Sequence, residues 1–403
     1  MTTESQNTIA ILGGGIVGIS TAYFLSKNNQ NGGKIILVDQ VGIAECASGV
    51  AGGFLASHFS EGTDLENLSR EGFKLHENLA KELDGTKNYG YRKVDVYSIE
   101  CELDFKKNKT SLQANPKPNK NNIEWLKDEV LVSRSQLGNT KNSAQVTPKL
   151  LSQTLWKKCQ QNGVEFTTGK VIDINKLKYE NTPKTDTTHN ISIEKDNMYK
   201  INILDGEPIV AAKVVVCLGP WTYYSRKWSI FKDLPEGYFD INGLRAHNVI
   251  FKVKDSVPAQ CLFTCISGSN YTDEDEIEVY PRPDGTVYIC GEAFGSGKII
   301  TTEPGEKNIG SPESFRKLED VFSKISGTSD MELNSCSAGY LPVRRIGVPI
   351  ISKVSQLPGI FVGSGHGCWG ILNGPITGLI LSDLVTTNST SVDIEPFAID
   401  RFV

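Results

Sequence analysis

Six residues, Gly13-Gly14-Gly15-Ile16-Val17-Gly18, satisfy the pattern GxGxxG and constrain the fold of this 403-residue chain more than any other feature. The apolar run Ile9 to Leu12 precedes them as a short strand. Ile19 to Lys27 follows with helical spacing, and Lys34 to Asp39 (KIILVD) reads as a second strand ending in an acid. In such a β-turn-α-β unit each glycine has a task. Gly13 permits the tight turn, Gly15 lets the backbone approach a pyrophosphate, and Gly18 allows the helix to close onto the strand. The helix N-terminus offers amide hydrogens and positive dipole to phosphate. Asp39 can accept ribose hydroxyls and disfavours a 2′-phosphate. The unit predicts a dinucleotide held by Gly13, Gly15, Ile16, Val17, Gly18 and Asp39. It does not choose between FAD and NAD.

A chain this long exceeds one hydrophobic core, so two domains are expected. Residues 63–100 read as a helix followed by strands. Residues 105–122, rich in Lys, Asn and Pro, read as a surface loop. No aromatic residue follows Phe105 there to stack a base, so its lysines make no nucleic-acid patch. Thr147 to Gly163 is an amphipathic helix with Pro148 in its first turn. Val164 to Phe166 and Lys170 to Ile174 read as strands, and 175–200 as a loose hairpin or insertion. Lys213 to Leu218 is a buried strand ending at Gly219-Pro220-Trp221.

From 241 to 295 the pattern alternates as in antiparallel strands, and Glu278 to Gly291 reads as a hairpin turned at Pro283-Asp284-Gly285. The C-terminal part returns to α/β character, with a strand at Gly359 to Gly363, a glycine-rich turn at Gly365 to Gly370 and a helix at Pro375 to Val385. The expected fold is therefore α/β (α+β overall). A discontinuous Rossmann-type domain is drawn from 1–62, 144–220 and 335–403, and an inserted antiparallel-sheet substrate domain from 63–143 and 221–334.

Lys and Arg number 42 against 47 Asp and Glu, a net charge of −5. That balance gives no pull toward nucleic acid or anionic membrane and favours a small-molecule ligand. Nine cysteines without a CxxC pair suit a reduced, cytoplasmic setting. Neither a signal peptide nor a membrane span is expected. His58, His76, His189, His247 and His366 lack metal-ligand spacing, so no metal is predicted, and no GxSxG elbow occurs.

Three later stretches choose FAD. They are Cys46-Ala47-Ser48-Gly49-Val50-Ala51-Gly52-Gly53, the helix-plus-strand Thr147 to Ile174, and Gly365-His366-Gly367-Cys368-Trp369-Gly370-Ile371-Leu372, which is similar to a GHGGYGLT segment. With the hairpin Glu278 to Gly291 and the run Gly339 to Arg344, they give the chain a resemblance to the D-amino-acid oxidase superfamily, which includes glycine and sarcosine oxidases. Within it the chain looks most like fungal FAD-dependent oxidoreductases of unassigned substrate. The resemblance implies that Ser48, Gly52 and Gly53 run beside the pyrophosphate toward the flavin, and that the Val171 backbone pairs with the adenine edge. It also implies that Gly219 is a cofactor contact, and that Gly367, Cys368, Trp369, Gly370, Ile371 and Leu372 face the flavin N1 and C2 carbonyl. There a helix N-terminus stabilises negative charge on the reduced ring.

The chain also departs from the superfamily. Where amino-acid oxidases hold the substrate carboxylate with an Arg before Pro, this chain has Leu341 before Pro342. Arg344 and Arg345 are nearby substitutes, but on a strand one of them points away. The strand Gly285 to Ile289 has no Lys to place over the flavin, and Cys336 is out of register for a covalent link, so non-covalent FAD is expected. Arg344, Trp369 and His366 are the catalytic candidates. Trp369 takes the Tyr place beside the ring, and His366 is expected to be packed rather than to act as a base. The expected function is oxidation of a C–N bond in a small amine or amino acid, by hydride transfer to flavin N5 with oxygen as acceptor. The alternative is a flavin-binding regulatory protein with little turnover, acting in membrane trafficking. The sequence names no protein partner.

Overall fold

The computed structural model describes residues 7–28, 33–104, 123, 125–177, 197–269, 271, 276–291, 302–306, 310–328 and 330–402. The expected surface loop at 105–122 and most of the insertion at 175–200 lie outside them.

One sheet has six strands, in the spatial order Ile350–Lys353, Ile360–Ser364, Lys213–Val216, Ile9–Leu12, Ile35–Asp39 and Glu165–Thr168. All neighbours run parallel except the antiparallel edge strand Ile350–Lys353. Its central strands read as unbroken apolar runs because both faces are covered. Ile11, Leu37, Val215 and Phe361 pack on one side with the helices Ile16–Lys27, Glu66–Glu82, Pro148–Gln161 and Gly370–Thr386. Ala10, Leu12, Ile36, Val214, Val216 and Ile360 pack on the other with the strands Val171–Leu177, Met198–Ile203 and Ile209–Ala211.

A second sheet has seven strands, in the order Met331–Val343, Asn242–Val253, Thr286–Gly291, Glu276–Pro281, Gln260–Ser267, Asp95–Glu102 and Leu131–Gly138. One face carries Val249, Leu262, Val279, Val287 and Ile289 against the helix Pro312–Ile325. That helix starts at Ser311, whose Oγ accepts from the Ser314 amide, with Pro312 in its first turn. The other face carries Cys261, Tyr280 and Tyr288 against Phe54 and Ala56. The strand Met331–Val343 crosses residue 335, where a domain boundary is expected from the sequence, so Leu341 belongs to the seven-stranded sheet.

The last long helix begins at Gly370, ahead of its expected start at Pro375. A proline inside a helix leaves the carbonyl four residues earlier without its amide. That carbonyl, Ile371 O, instead accepts a hydrogen bond from His76 Nε2 at 2.9 Å. Burial pulls the His76 pKa down to about 4, so the ring is neutral and Nε2 carries the donated proton. The expectation of no membrane span meets one candidate: among the described residues Gly367–Thr386 is long and apolar enough to cross a bilayer. The stretch is mostly buried inside the protein, packed against the helix Ile16–Lys27 and the parallel sheet.

Candidate functional site

A deep cleft opens at the carboxyl ends of the parallel strands, where Leu12, Val38, Cys217 and Gly363 meet it. In open α/β sheets that is where ligands bind. Of the fingerprint residues, Gly13, Gly15, Ile16 and Val17 line it. Gly18 does not, for a packing reason: a Cβ on Gly18 would lie 2.0 Å from Gly13 O. Gly13 has φ +113, and its own Cβ would fall 2.2 Å from Cys217 O. These two glycines close the turn, whereas a Cβ on Gly15 would meet only Ser48 Oγ, at 3.2 Å.

Asp39 also lines the cleft, and its carboxylate is engaged with the backbone. Oδ2 accepts from Gly14 N at 2.7 Å, and Oδ1 from Val41 N at 2.8 Å and Gly42 N at 2.9 Å. Each carboxylate oxygen has two lone-pair directions, so Oδ2 keeps one for a further donor. Ser48 Oγ accepts from Ile16 N at 2.9 Å, which ties the loop after the second strand to the helix start. Val171 and Gly219 line the cleft too. Gly219 has φ +55 and open space where a Cβ would stand. Sequence reasoning missed Trp221, Tyr224 and Trp228, which line it beside Gly219. The available signal was an aromatic run just past a buried strand.

The glycine turn at 365–370 also lines the cleft, through His366, Gly367, Cys368, Gly370 and Ile371. Gly367 has φ +58, and a Cβ there would meet no atom within 4 Å, so the backbone is bare toward the cleft. The His366 ring turns inward, with Nε2 2.9 Å from Thr377 Oγ1, and burial pulls its pKa down to about 4. Leu372 is buried in the helical layer instead of lining the cleft. Trp369 leans on an aromatic group, with ring centroids 5.8 Å from Phe59 and 6.5 Å from Phe54.

The seven-stranded sheet roofs this end. Alternation along the strands and the observed register put Leu341, Asn248, Tyr288, Cys290, Glu278, Tyr280 and Phe263 on one face. The loop Ala47–Gly53 lies across that face. Val50 O accepts from Asn248 Nδ2 at 3.2 Å and from Tyr288 Oη at 2.9 Å. Gly52, half-buried, packs on Tyr280 and Tyr288, and Gly53, buried, lies against Val146 and Pro148, so neither lines the cleft. Leu341 and Pro342 do line it. Arg344 does not: its Nη1 donates to Val348 O at 3.3 Å and Pro349 O at 3.5 Å, and burial pulls its pKa down to about 10. Arg345 is exposed. Cys336, two residues before Ala338, turns to the opposite sheet face, with Sγ 3.8 Å from Glu319 Oε1.

On the roof, Glu278 is a carboxylate among aromatic rings. Tyr280 Oη and the Cys290 thiol (3.3 Å) both donate to its Oε2. Desolvation raises its pKa above the ordinary carboxylate value. The sequence signalled only a hairpin at this position. Among the described residues no three His, Cys, Asp or Glu side chains are grouped to hold a metal.

The residues present fit a dinucleotide with an attached ring system. The starts of Ile16–Lys27 and Gly370–Thr386 both reach the cleft, and a helix start leaves backbone N–H groups free for anionic oxygen. Bare glycine backbone at Gly15, Gly219 and Gly367 leaves the room.

Residues 8–384 match the family described as FAD dependent oxidoreductase, DAO. A protein named as an oxidoreductase in Schizosaccharomyces pombe is 27% identical over 97% of both chains. Glycine oxidase of Bacillus subtilis is 22% identical over 97% of this chain and 96% of its own. Among solved structures, glycine oxidase from Geobacillus kaustophilus superposes with a TM-score of 0.71 at 18% identity, covering 98% of each chain. Iminodiacetate oxidase from Chelativorans sp. BNC1 gives 0.68 at 17% identity, covering 97% of this chain and 98% of its own.

Proposed function

Because this chain belongs to the DAO family of FAD-dependent oxidoreductases, we propose that it oxidises a C–N bond in a small amine or amino acid. The observation that carries this is the cleft itself, with bare glycine backbone and two helix starts below and the sheet face with Leu341 above. The cofactor, when bound, supplies the hydride acceptor at N5 and the route by which oxygen is reduced to peroxide. The substrate carbon gives up its hydride, leaving an imine that water hydrolyses. The protein binds, orients and excludes water. Gly13, Gly15, Ile16, Val17 and Ser48 would hold the pyrophosphate, Asp39 a ribose hydroxyl, and Val171 the adenine edge. Gly367, Cys368, Gly370 and Ile371 would place amide dipoles at the pyrimidine end of the flavin. Gly18 would act from beneath by closing the turn.

The FAD domain is read as 1–62, 144–220 and 335–403, supported by the six parallel-sheet strands, all of which fall in those ranges. The substrate domain is read as 63–143 and 221–334, with Leu341 contributed from across the boundary. Purified protein is expected to be yellow with about one FAD per chain. Because Cys336 faces away from the cleft, the flavin should separate on denaturation. Colourless protein that takes up no FAD would sink the proposal, and flavin retained after denaturation would sink its non-covalent part.

Leu341 narrows the substrate. A carboxylate entering a pocket without a cation loses its hydration for nothing, at a cost of several kcal/mol. Arg344 is committed to two backbone carbonyls. Turnover of glycine, sarcosine and simple D-amino acids is therefore expected to be weak or absent. Leu341→Arg should tighten binding of acetate or benzoate, followed as a perturbation of the flavin spectrum. Robust oxidation of D-alanine that survives Arg344→Ala would count against this. Loss of the clamp also favours a second reading, a flavoprotein with little turnover. A panel of amines added anaerobically separates the two, because only an oxidase is bleached.

A further inference from the structure

We propose that Glu278 binds the protonated nitrogen of the substrate, which is an alkylammonium carrying no carboxylate. This rests on the amine-oxidising reading of the site and names its substrate class. Glu278 lies in a row with Asn248 and Cys290, fixed by strand register, on the face that carries Leu341. Both of its protein donors, Tyr280 Oη and Cys290 Sγ, bond Oε2. Among the described residues no donor meets Oε1.

Tyr280, Cys290 and the like charge of Glu276 act on this carboxylate, and the buried cation of the same cluster, Arg282, is turned away from it, over the Tyr288 ring and toward Ala51 O and Gly52 O. Glu278 itself does not line the cleft, but it is close enough to Cys368, which does, for its charge to help raise that thiol's pKa. A desolvated carboxylate with two neutral donors and no cation bonded to it is poorly compensated. An ammonium arriving from the cleft supplies the missing charge. Phe54, Phe263 and Trp369 form apolar walls beside it, suited to an alkyl chain. The same oxygen can take the substrate's proton: the N–H bond breaks, an O–H bond forms on Oε1, and a neutral amine faces a neutral acid. The nitrogen lone pair is then free to assist loss of hydride from the adjacent carbon.

The charge at this end is thus the reverse of a carboxylate clamp, and two probes of one size and opposite charge test it. n-Butylamine and butyrate are titrated without oxygen into the FAD-loaded protein, with flavin absorbance and tryptophan fluorescence as readouts. Butylamine is expected to bind and butyrate not. Glu278→Gln should keep its FAD and weaken butylamine at least about tenfold, or ~1.4 kcal/mol. In the wild type, butylamine affinity should rise with pH as Glu278 ionises, through a value above the ordinary carboxylate range. Glu278→Asp should keep that dependence. Butyrate binding in place of butylamine, or unchanged butylamine affinity in Glu278→Gln, overturns the proposal. If Glu278→Gln does not fold, wild-type affinity that stays flat with pH does the same. Protein that takes up no FAD sinks the oxidoreductase reading instead, and tryptophan fluorescence would still register the amine.

Discussion

Gly15→Leu should give a folded protein that no longer takes up FAD. The Gly15 backbone is extended, at φ −79 and ψ 178, a conformation any residue adopts. Its Cβ would have one near neighbour, Ser48 Oγ at 3.2 Å, and a hydroxyl can shift by a few tenths of an ångström. The loss there is at most the Ser48 bond to Ile16 N, about 1 kcal/mol. The rest of the leucine side chain extends into the cleft, where the pyrophosphate is proposed to lie. FAD affinity should fall well over tenfold, more than ~1.4 kcal/mol. Quenching of flavin fluorescence, alongside circular dichroism, measures both halves of the expectation. Unchanged affinity in a folded variant would show that the pyrophosphate lies elsewhere.

Gly18→Ala should do the opposite and destabilise the fold before any ligand is considered. Alanine is the better helix former by about 1 kcal/mol, and Gly18 lies inside the helix Ile16–Lys27. That gain is overridden, because the new methyl would sit 2.0 Å from Gly13 O. Gly13 cannot retreat, since its own Cβ position is 2.2 Å from Cys217 O, just past the end of the neighbouring strand Lys213–Val216. Overpacking of this kind costs about 3 kcal/mol. The urea midpoint of the FAD-free protein should fall accordingly. A midpoint equal to that of the unchanged protein would mean that helix and strand are less closely packed than described.

The contrast between these glycines shows what could be read in advance. Spacing alone identified the turn, the helix and the acid at Asp39, because the three are local and their geometry is nearly fixed. The roles of Gly15 and Gly18 also follow from spacing, and only the distances to Ser48 and Gly13 turn them into different outcomes. Leu341 was visible as a departure because a Pro follows it in a run similar to the family's. The direction of Arg344 was not, since it depends on the Val348 and Pro349 carbonyls folding back beneath it. Helix onset at Gly370 was hidden for a like reason. Pro375 marks a first turn by local rules, and His76, far away in sequence, satisfies the carbonyl that lets the helix begin earlier. Glu278 was legible only as one polar residue in a hairpin. Its setting is made by register across four strands and by Cys368 from the other sheet's end.

The strand order of the parallel sheet also governs how the chain comes together in time. Ile9–Leu12 lies between Ile35–Asp39, its near neighbour in sequence, and Lys213–Val216, which in turn waits for Ile360–Ser364. During synthesis the fingerprint emerges long before the later strands of its own sheet. Pairings so remote in sequence put the chain among slow folders, since loop closure must come before the contacts that reward it. Until residue 364 and the helix after it have left the ribosome, the apolar faces of Ile11 and Leu12 lack their full cover. The newborn chain therefore has a long interval in which chaperones or aggregation compete for it, and the flavin site can be completed only when that interval is over.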